Sequence, residues 1–337
     1  MCLGKCIARR IDGKGNVMVI HKNTMAISRR GASTAKWEKF VKYFKKNYDL
    51  FLMILPAILV ILIFNYLPMY GIQLAFREFR PEKGLTGGEW VGLKYINKFF
   101  TSFQFKNLIV NTLSISLASI LIGFPIPIVL AILFHQIKNE KLKKIMQTTV
   151  YIPHFISTVV MVGMLNVFLA PNTGIVGHFL RSIGLKPVNF MGMPEYFVLV
   201  YVLSDVWQHA GWNSIIYIAA LSSIDTQLYD AAMIDGANKW QVIWYIEIPG
   251  IIPTIIILLV LSMGRILSVG FEKAFLMQNS LNLKASEVIS TYVYKIGITS
   301  HQYSYSTAIG LFNTVVNFIF LTSMNYLAKK FTDTSLW

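Results

Sequence analysis

Apolar residues gather along this chain into long unbroken runs separated by shorter polar intervals, and the runs set the expected architecture. A helix that crosses a bilayer needs about 20 mostly apolar residues. Stretches at approximately 50–70, 108–134, 146–170, 196–222, 249–269 and 304–328 meet that length. Pro56, Pro68, Pro125, Pro127 and Pro153 lie in or at the ends of these runs. Neighbouring helices can satisfy the carbonyls that proline frees, so the pattern predicts an all-α integral membrane protein of about six kinked, packed spans. The first run begins too late and runs too long for a cleaved signal peptide.

The polar intervals are unlike one another. Segment 71–107 is rich in glycine and aromatics with little helical period, and turns are expected at Pro81, Gly84 and Gly87-Gly88. Segment 270–303 contains SEVISTYVYKIGI, which can form a short helix outside the membrane. Residues 223–248 read as a polar helix-turn-helix between two spans. Asp225 or Thr226 can cap its first helix, Gly236 permits a tight turn, and Asn238 can cap the second helix. Pro249 and Pro253 are expected to begin the fifth span, where a missing N–H costs little.

Composition agrees with the pattern. Of 337 residues 55% are hydrophobic and 14% charged, with a mean hydropathy of +0.54, whereas soluble domains carry about 25% charged residues. The net charge of +15 does not indicate nucleic acid, because 12 of the 31 Lys and Arg lie in residues 1–49, beside the first span. Such a flank anchors a span at the cytosolic face. With the N-terminus inside, the inner segments hold 19 basic residues and the outer segments 11, with Arg265 inside a helix. The bias places both termini and the 223–248 loop in the cytosol, and segments 71–107 and 270–303 outside. The expected division is a basic cytosolic tail, 1–47, and a transmembrane domain, 48–337. Residues 1–34 look unstructured, and translation could start at Met1 or Met25. Cys2 and Cys6 read as reduced thiols in that tail.

Catalytic chemistry is not legible. The chain has no glycine-rich phosphate loop ending in Lys-Ser or Lys-Thr, so it cannot itself be a P-loop ATPase. The histidines lack metal-ligand spacing, and no metal or cofactor is expected; His209 and His301 read as pore-lining or interfacial groups. In the fourth run Asp205, Gln208, His209 and Trp212 share a helix face, with Asn213 and Tyr217 adjoining it. A carboxylate inside a bilayer costs at least about 2.5 kcal/mol, so Asp205 should face a cavity or a partner. Ser306, Gly310, Asn313 and Asn317 form a second stripe in the sixth run, suited equally to a path and to helix–helix contact. Aromatic and amide groups of this kind suit sugars. Arg265 can pair with Asp205, snorkel, or attract an acidic sugar.

The stretch YDAAMIDGANKWQVIWYIEIP at 229–249 resembles the cytosolic loop of ABC importer permeases that docks the ATPase. That loop reads Glu-Ala-Ala, three residues, Gly, nine residues, Ile-x-Leu-Pro; here Asp230 replaces the Glu and Ile248 the Leu. NYLPMYGIQLAFREFRPEKG at 65–84, DVWQHAGWNSIIYIAALSSID at 205–225 and GFEKAFLMQN at 270–279 are similar to carbohydrate permeases of the branch that imports alginate and rhamnogalacturonan fragments. The resemblance covers roughly 48–330. It implies a type I importer fold and a role as permease for oligosaccharides in the cell membrane. It also implies a second homologous permease, two ATPase subunits or a homodimeric ATPase, and an extracytoplasmic solute-binding protein. Asp230, Ala231, Ala232, Gly236 and Ala237 would contact the ATPase. The nearest rival is a permease for amino acids or peptides. A secondary transporter would show paired broken helices in two related halves, and no such repeat is visible. The sequence does not name the saccharide.

Overall fold

The computed structural model describes residues 9–11, 17–19, 42–85, 87–332 and 334–337. The chain divides into two compact units, 1–70 and 71–337. In the first unit, β1 (Arg9–Ile11) pairs antiparallel with β2 (Val17–Val19), with Arg10 opposite Met18. Within the tail expected to lack structure these six residues form a short β-pair, in which Ile11, Val17 and Val19 are strand formers; the rest of residues 1–34 lies outside the described residues. Helix α1 (Tyr48–Ile61) follows, with Pro56 inside it and no buried residue.

The second unit is helical. Helix α2 (Phe105–Ala118) leads through a π-turn into α3 (Pro125–His135). Helix α4 (Glu140–Tyr151) is capped by Asn139, whose side chain accepts from the amides of Lys141 and Leu142. Helices α5 (Thr158–Phe168) and α6 (Pro194–Ser222) come next. The polar loop carries α7 (Thr226–Ile234) and α8 (Lys239–Val242), and α9 (Ile248–Met263), α10 (Phe271–Met277) and α11 (Tyr303–Thr332) complete the order.

Among the described residues, four helical stretches are long and apolar enough to cross a membrane: Tyr48–Phe76, Phe105–His135, Lys239–Met263 and Tyr303–Thr332. The span expected at 146–170 is bent, since Glu140–Phe155 and Thr158–Phe168 meet at 98°. The break has a local cause. Ile156 is extended, and the Ser157 hydroxyl accepts from the Val160 amide, capping a new helix. Helix α6, expected as the span 196–222, is 29 residues long but carries Asp205, Gln208 and His209 and is not among the four.

The fifth span starts earlier than expected. Pro249 does not open it but lies inside one continuous helix, Lys239–Met263. A proline ring clashes with the carbonyl four residues back, and here that residue, Tyr245, sits in a π-turn, Ile243–Glu247. The same device recurs at Pro68 after the π-turn Leu62–Tyr66 and at Pro125 after Ser119–Gly123. One widened turn lets each helix continue past its proline.

Packing relies on close approach rather than on bulk. A Cβ at Gly211 would collide with the Val150 carbonyl oxygen, so α6 and α4 cross only because Gly211 lacks one. One apolar cluster joins Ile115, Val162, Phe197, Tyr201 and Met277; a second joins Phe99, Leu108, Ile266, Ile289 and Ile309; a third joins Ala131, Tyr217, Leu221 and Ile251. Segment 71–107 is more helical than its composition indicates, with Lys94–Phe100 placing Phe99 at zero exposure. The Phe79 amide donates to the Ser304 hydroxyl (2.9 Å), which donates to the Arg77 carbonyl (2.7 Å), tying this segment to α11. The expected short helix in 270–303 is present as Ile289–Tyr294.

Candidate functional site

The polar loop is built by local rules. The Asp225 carboxylate caps α7 by accepting from the Gln227 amide at 2.9 Å. At the other end Gly236 adopts φ +73°, the Gly236 amide donates to the Met233 carbonyl (3.2 Å), and the Ala237 amide reaches back to the Ala232 carbonyl (2.9 Å). Those two bonds form a Schellman motif, which ends a helix through a left-handed residue. Asn238 then starts α8 with a reciprocal capping box: the Gln241 amide donates to Asn238 Oδ1 (3.0 Å) and the Asn238 amide to Gln241 Oε1 (2.7 Å). Every helix end in the loop is satisfied internally. Its outer face is left free for a partner.

The loop exposes several large apolar side chains. Ile234 is 86% exposed and Trp240 72%, and Met233, Trp244 and Tyr245 are exposed beside them. Ala232, Gly236, Ala237, Val242 and Tyr245 line a cavity of ≈ 260 Å³ between the two loop helices. Asp230 and Ala231 stand exposed on α7. A polar-rimmed patch of large exposed apolar side chains on a loop marks an interaction surface.

Two further cavities flank α6. One, ≈ 360 Å³, is lined by Tyr201, Asp205, His209, Asn213 and Arg265; the other, ≈ 830 Å³, by Phe124, Trp212, Asn213, Tyr217 and Arg265. The structure thus brings Asp205, Trp212, Asn213, Tyr217 and Arg265 to one region, with Asn213 and Arg265 shared by both cavities. The Trp212 indole stacks on the His154 ring at 4.5 Å and 3°, with Phe155 edge-on.

Other expected site residues stand away from these cavities. Gln208 is 3% exposed, and its amide donates to the Ile156 carbonyl (2.8 Å), holding the bend between α4 and α5. Asn317 accepts from the Leu267 amide (2.9 Å) and donates to the Ser268 hydroxyl (2.9 Å), which ties α11 to the turn after α9. Asn313 lines neither cavity, and its Oδ1 is buried without a partner. Within this stripe the interhelical hydrogen bonds are those of Asn317.

The ion pair is also different from expectation. Asp205 does not pair with Arg265; Lys273 Nζ lies 3.2 Å from its carboxylate, and His209 Nδ1 lies 3.5 Å from it. Lys273 also donates to the Tyr201 carbonyl (2.9 Å) and sits 4.5 Å over the Tyr201 ring. Burial lowers its pKa, and the Asp205 carboxylate works against that shift. Lys273 escaped the sequence reading because it stands 68 residues away in a segment expected outside the membrane. Its one signal was a lysine inside the apolar run GFEKAFLM. Among the described residues no acidic side chain pairs with Arg265, so its guanidinium remains a free charge at the meeting of two cavities.

Residues 123–333 match the family model described as binding-protein-dependent transport system inner membrane component. The chain is 40% identical over 297 residues to the polygalacturonan/rhamnogalacturonan transport system permease protein YteP of Bacillus subtilis (strain 168), covering 88% of this chain and 92% of the relative. It is 39% identical over 293 residues to protein LplB of the same organism, covering 87% and 92%. Among solved structures it is similar, at TM-score 0.80 and 41% identity, to a chain of a bacterial ABC transporter involved in the import of the acidic polysaccharide alginate, covering 87% of this chain and 99% of that one. The chain therefore belongs to the binding-protein-dependent transport system inner membrane components, as a multi-pass permease subunit of an ABC importer.

Proposed function

We propose that this permease carries oligosaccharides or polysaccharide fragments across the cell membrane, driven by a separate ATPase that docks on the 223–248 loop. The observation that carries the reading is likeness along nearly the whole chain to a polygalacturonan/rhamnogalacturonan transport system permease and to a chain of an ABC transporter involved in alginate import. The cavity beside α6 supports it. Trp212 offers a ring face, Asn213 an amide, and Asp205 an acceptor whose charge Lys273 balances. Stacking and hydrogen bonding of this kind suit the C–H faces and hydroxyls of a sugar.

The reading extends to partners and orientation. Asp230, Ala231, Ala232, Gly236 and Ala237 contact the ATPase, with the small residues admitting its backbone and the exposed Ile234 and Trp240 filling its surface. A second homologous permease completes the pathway, and an extracytoplasmic solute-binding protein delivers substrate. Both termini lie in the cytosol, and the basic tail 1–47 rests against the anionic leaflet. The test is uptake by vesicles containing this chain, its partner permease, the ATPase and the solute-binding protein. Offered a mixture of oligosaccharides, amino acids and peptides, they should accumulate saccharides in an ATP-dependent way. Accumulation of amino acids or peptides alone would overturn the reading.

A further inference from the structure

The helical stretch Lys239–Met263 carries a single carboxylate, Glu247, and it is wholly buried at 0% exposure. Burying a carboxylate costs several kcal/mol unless it is paired and hydrogen-bonded. Glu247 meets its partners on another helix: Oε1 lies 2.7 Å from His135 Nδ1 and accepts from Gln136 Nε2 at 2.8 Å. His135 ends α3 and Gln136 is its C-cap. The stretch Phe105–His135 is thus tied by its last residues to the helix that leaves the polar loop.

The loop reaches the same cluster from its other side. The Tyr229 ring, on α7, lies 5.9 Å from the His135 ring, and burial together with the nearby Glu247 carboxylate pushes the Tyr229 hydroxyl up to about 12. Both the Tyr229 hydroxyl and Glu247 Oε2 are buried without a partner. One unused donor and one unused acceptor therefore occupy a single cluster, the donor on the loop and the acceptor on the span that follows it. Nearby, a Cβ at Gly250 would lie 2.5 Å from Ile224 Cδ1, so the start of the loop is also seated closely on α9. The loop is fastened at both ends.

We infer that Glu247 is a positioning residue that clasps the end of α3 to the loop, so that a loop displaced by its partner carries the span Phe105–His135 with it. This rests on the reading that the loop docks an ATPase. Rotation of Tyr229 toward Oε2 fills both open valences, which gives the clasp a second hydrogen-bonded arrangement while the tie to α3 is kept.

The test uses the full complex in nanodiscs, with Cys2→Ser and Cys6→Ser, and spin labels at Lys138→Cys after α3 and Lys239→Cys on the loop. In the otherwise unchanged chain the distance between labels should hold within about 2 Å between nucleotide-free and vanadate-trapped states, since the two elements move together. In Glu247→Ala it should change by about 5 Å on trapping, the scale of one helical turn. Glu247→Gln, which keeps an oxygen for Gln136, should restore the constant distance. If Glu247→Ala does not insert, the double variant His135→Ala, Gln136→Ala removes the donors and is read in the same way. A state-independent distance in the variants, with the ATPase bound, overturns the inference and leaves the docking reading intact. An ATPase that fails to bind the unaltered complex overturns both.

Discussion

A left-handed residue at the end of α7 decides where the chain goes next. Gly236 at φ +73° has no Cβ to strain, while an L-residue there costs about 1 kcal/mol or more. Gly236→Ala should weaken coupling mildly. Gly236→Pro should do far more, because it also deletes the amide that donates to Met233 and cannot adopt positive φ. Ala231→Trp should block docking by bulk alone. Hydrolysis and uptake measured in the same vesicles check all three: normal transport by Gly236→Pro and Ala231→Trp would refute the coupling role. The Lys273–Asp205 pair gives a second prediction. Lys273→Met leaves Asp205 with His209 alone, and because the Asp205 side chain is 39% exposed, solvent screening holds the loss to about 1 kcal/mol. Thermal unfolding in detergent should register that loss, and adding Asp205→Asn should recover much of it. Recovery would fail if the two charges had no mutual role. Trp212→Ala and Asn213→Ala should each slow uptake by about 1 kcal/mol of lost stacking or hydrogen bonding, roughly fivefold. Unchanged kinetics in both would remove this face from the path.

Helices in this protein are shaped by what interrupts them. Three prolines are each preceded by a π-turn, so the chain bends without ending. At 155–158 the helix does end, because Ile156 is extended and Ser157 caps a new start. The bend is then held by Gln208, reaching 52 residues back to the Ile156 carbonyl. Two lessons about legibility meet at this scale. The caps at Asp225 and Asn238 and the turn at Gly236 were legible because each is decided within three or four residues. The 98° bend was not, since hydropathy averaged over 146–170 hides His154 and Ser157, the polar positions between which the helix ends and restarts. Gly211→Val tests the crossing of α6 and α4. The added side chain meets the Val150 carbonyl in a packed site, and overpacking costs about 1–3 kcal/mol. A lower melting temperature with normal insertion is the expected result; an unchanged one would mean that the helices separate freely.

For the whole molecule the charge distribution makes a prediction about sidedness. Under the proposed topology, residues 1–49 and the other segments assigned to the inside hold 19 Lys and Arg against 11 in those assigned to the outside. A cysteine at Lys83 should react with an impermeant maleimide from the extracytoplasmic side, and one at Asn238 only from the cytosolic side. Reaction of the Lys83 position from the cytosol alone would invert the topology. Exposed apolar side chains collect on the loop, and polar groups collect beside α6. Hydrogen bonds tie α11 back to the 71–107 segment and to the turn after α9.

By itself the sequence determined the helical class, the membrane setting, the position of the loop and the chemistry of its turns. These follow from hydropathy summed over a window and from hydrogen bonds that close within one turn, and neither needs to know the fold. It also placed Asp205, Trp212, Asn213 and Tyr217 together, because one helix supplies all of them. What it could not give was the partner of any buried charge. Asp205 chooses Lys273 over Arg265, Glu247 meets His135 and Gln136 across 112 and 111 residues, Gln208 reaches the Ile156 carbonyl, and Asn317 meets the Leu267 amide and the Ser268 hydroxyl. Each of those choices is made by proximity in space under low dielectric, where a buried polar group must find whichever partner packing brings near. Only the tertiary structure sets that.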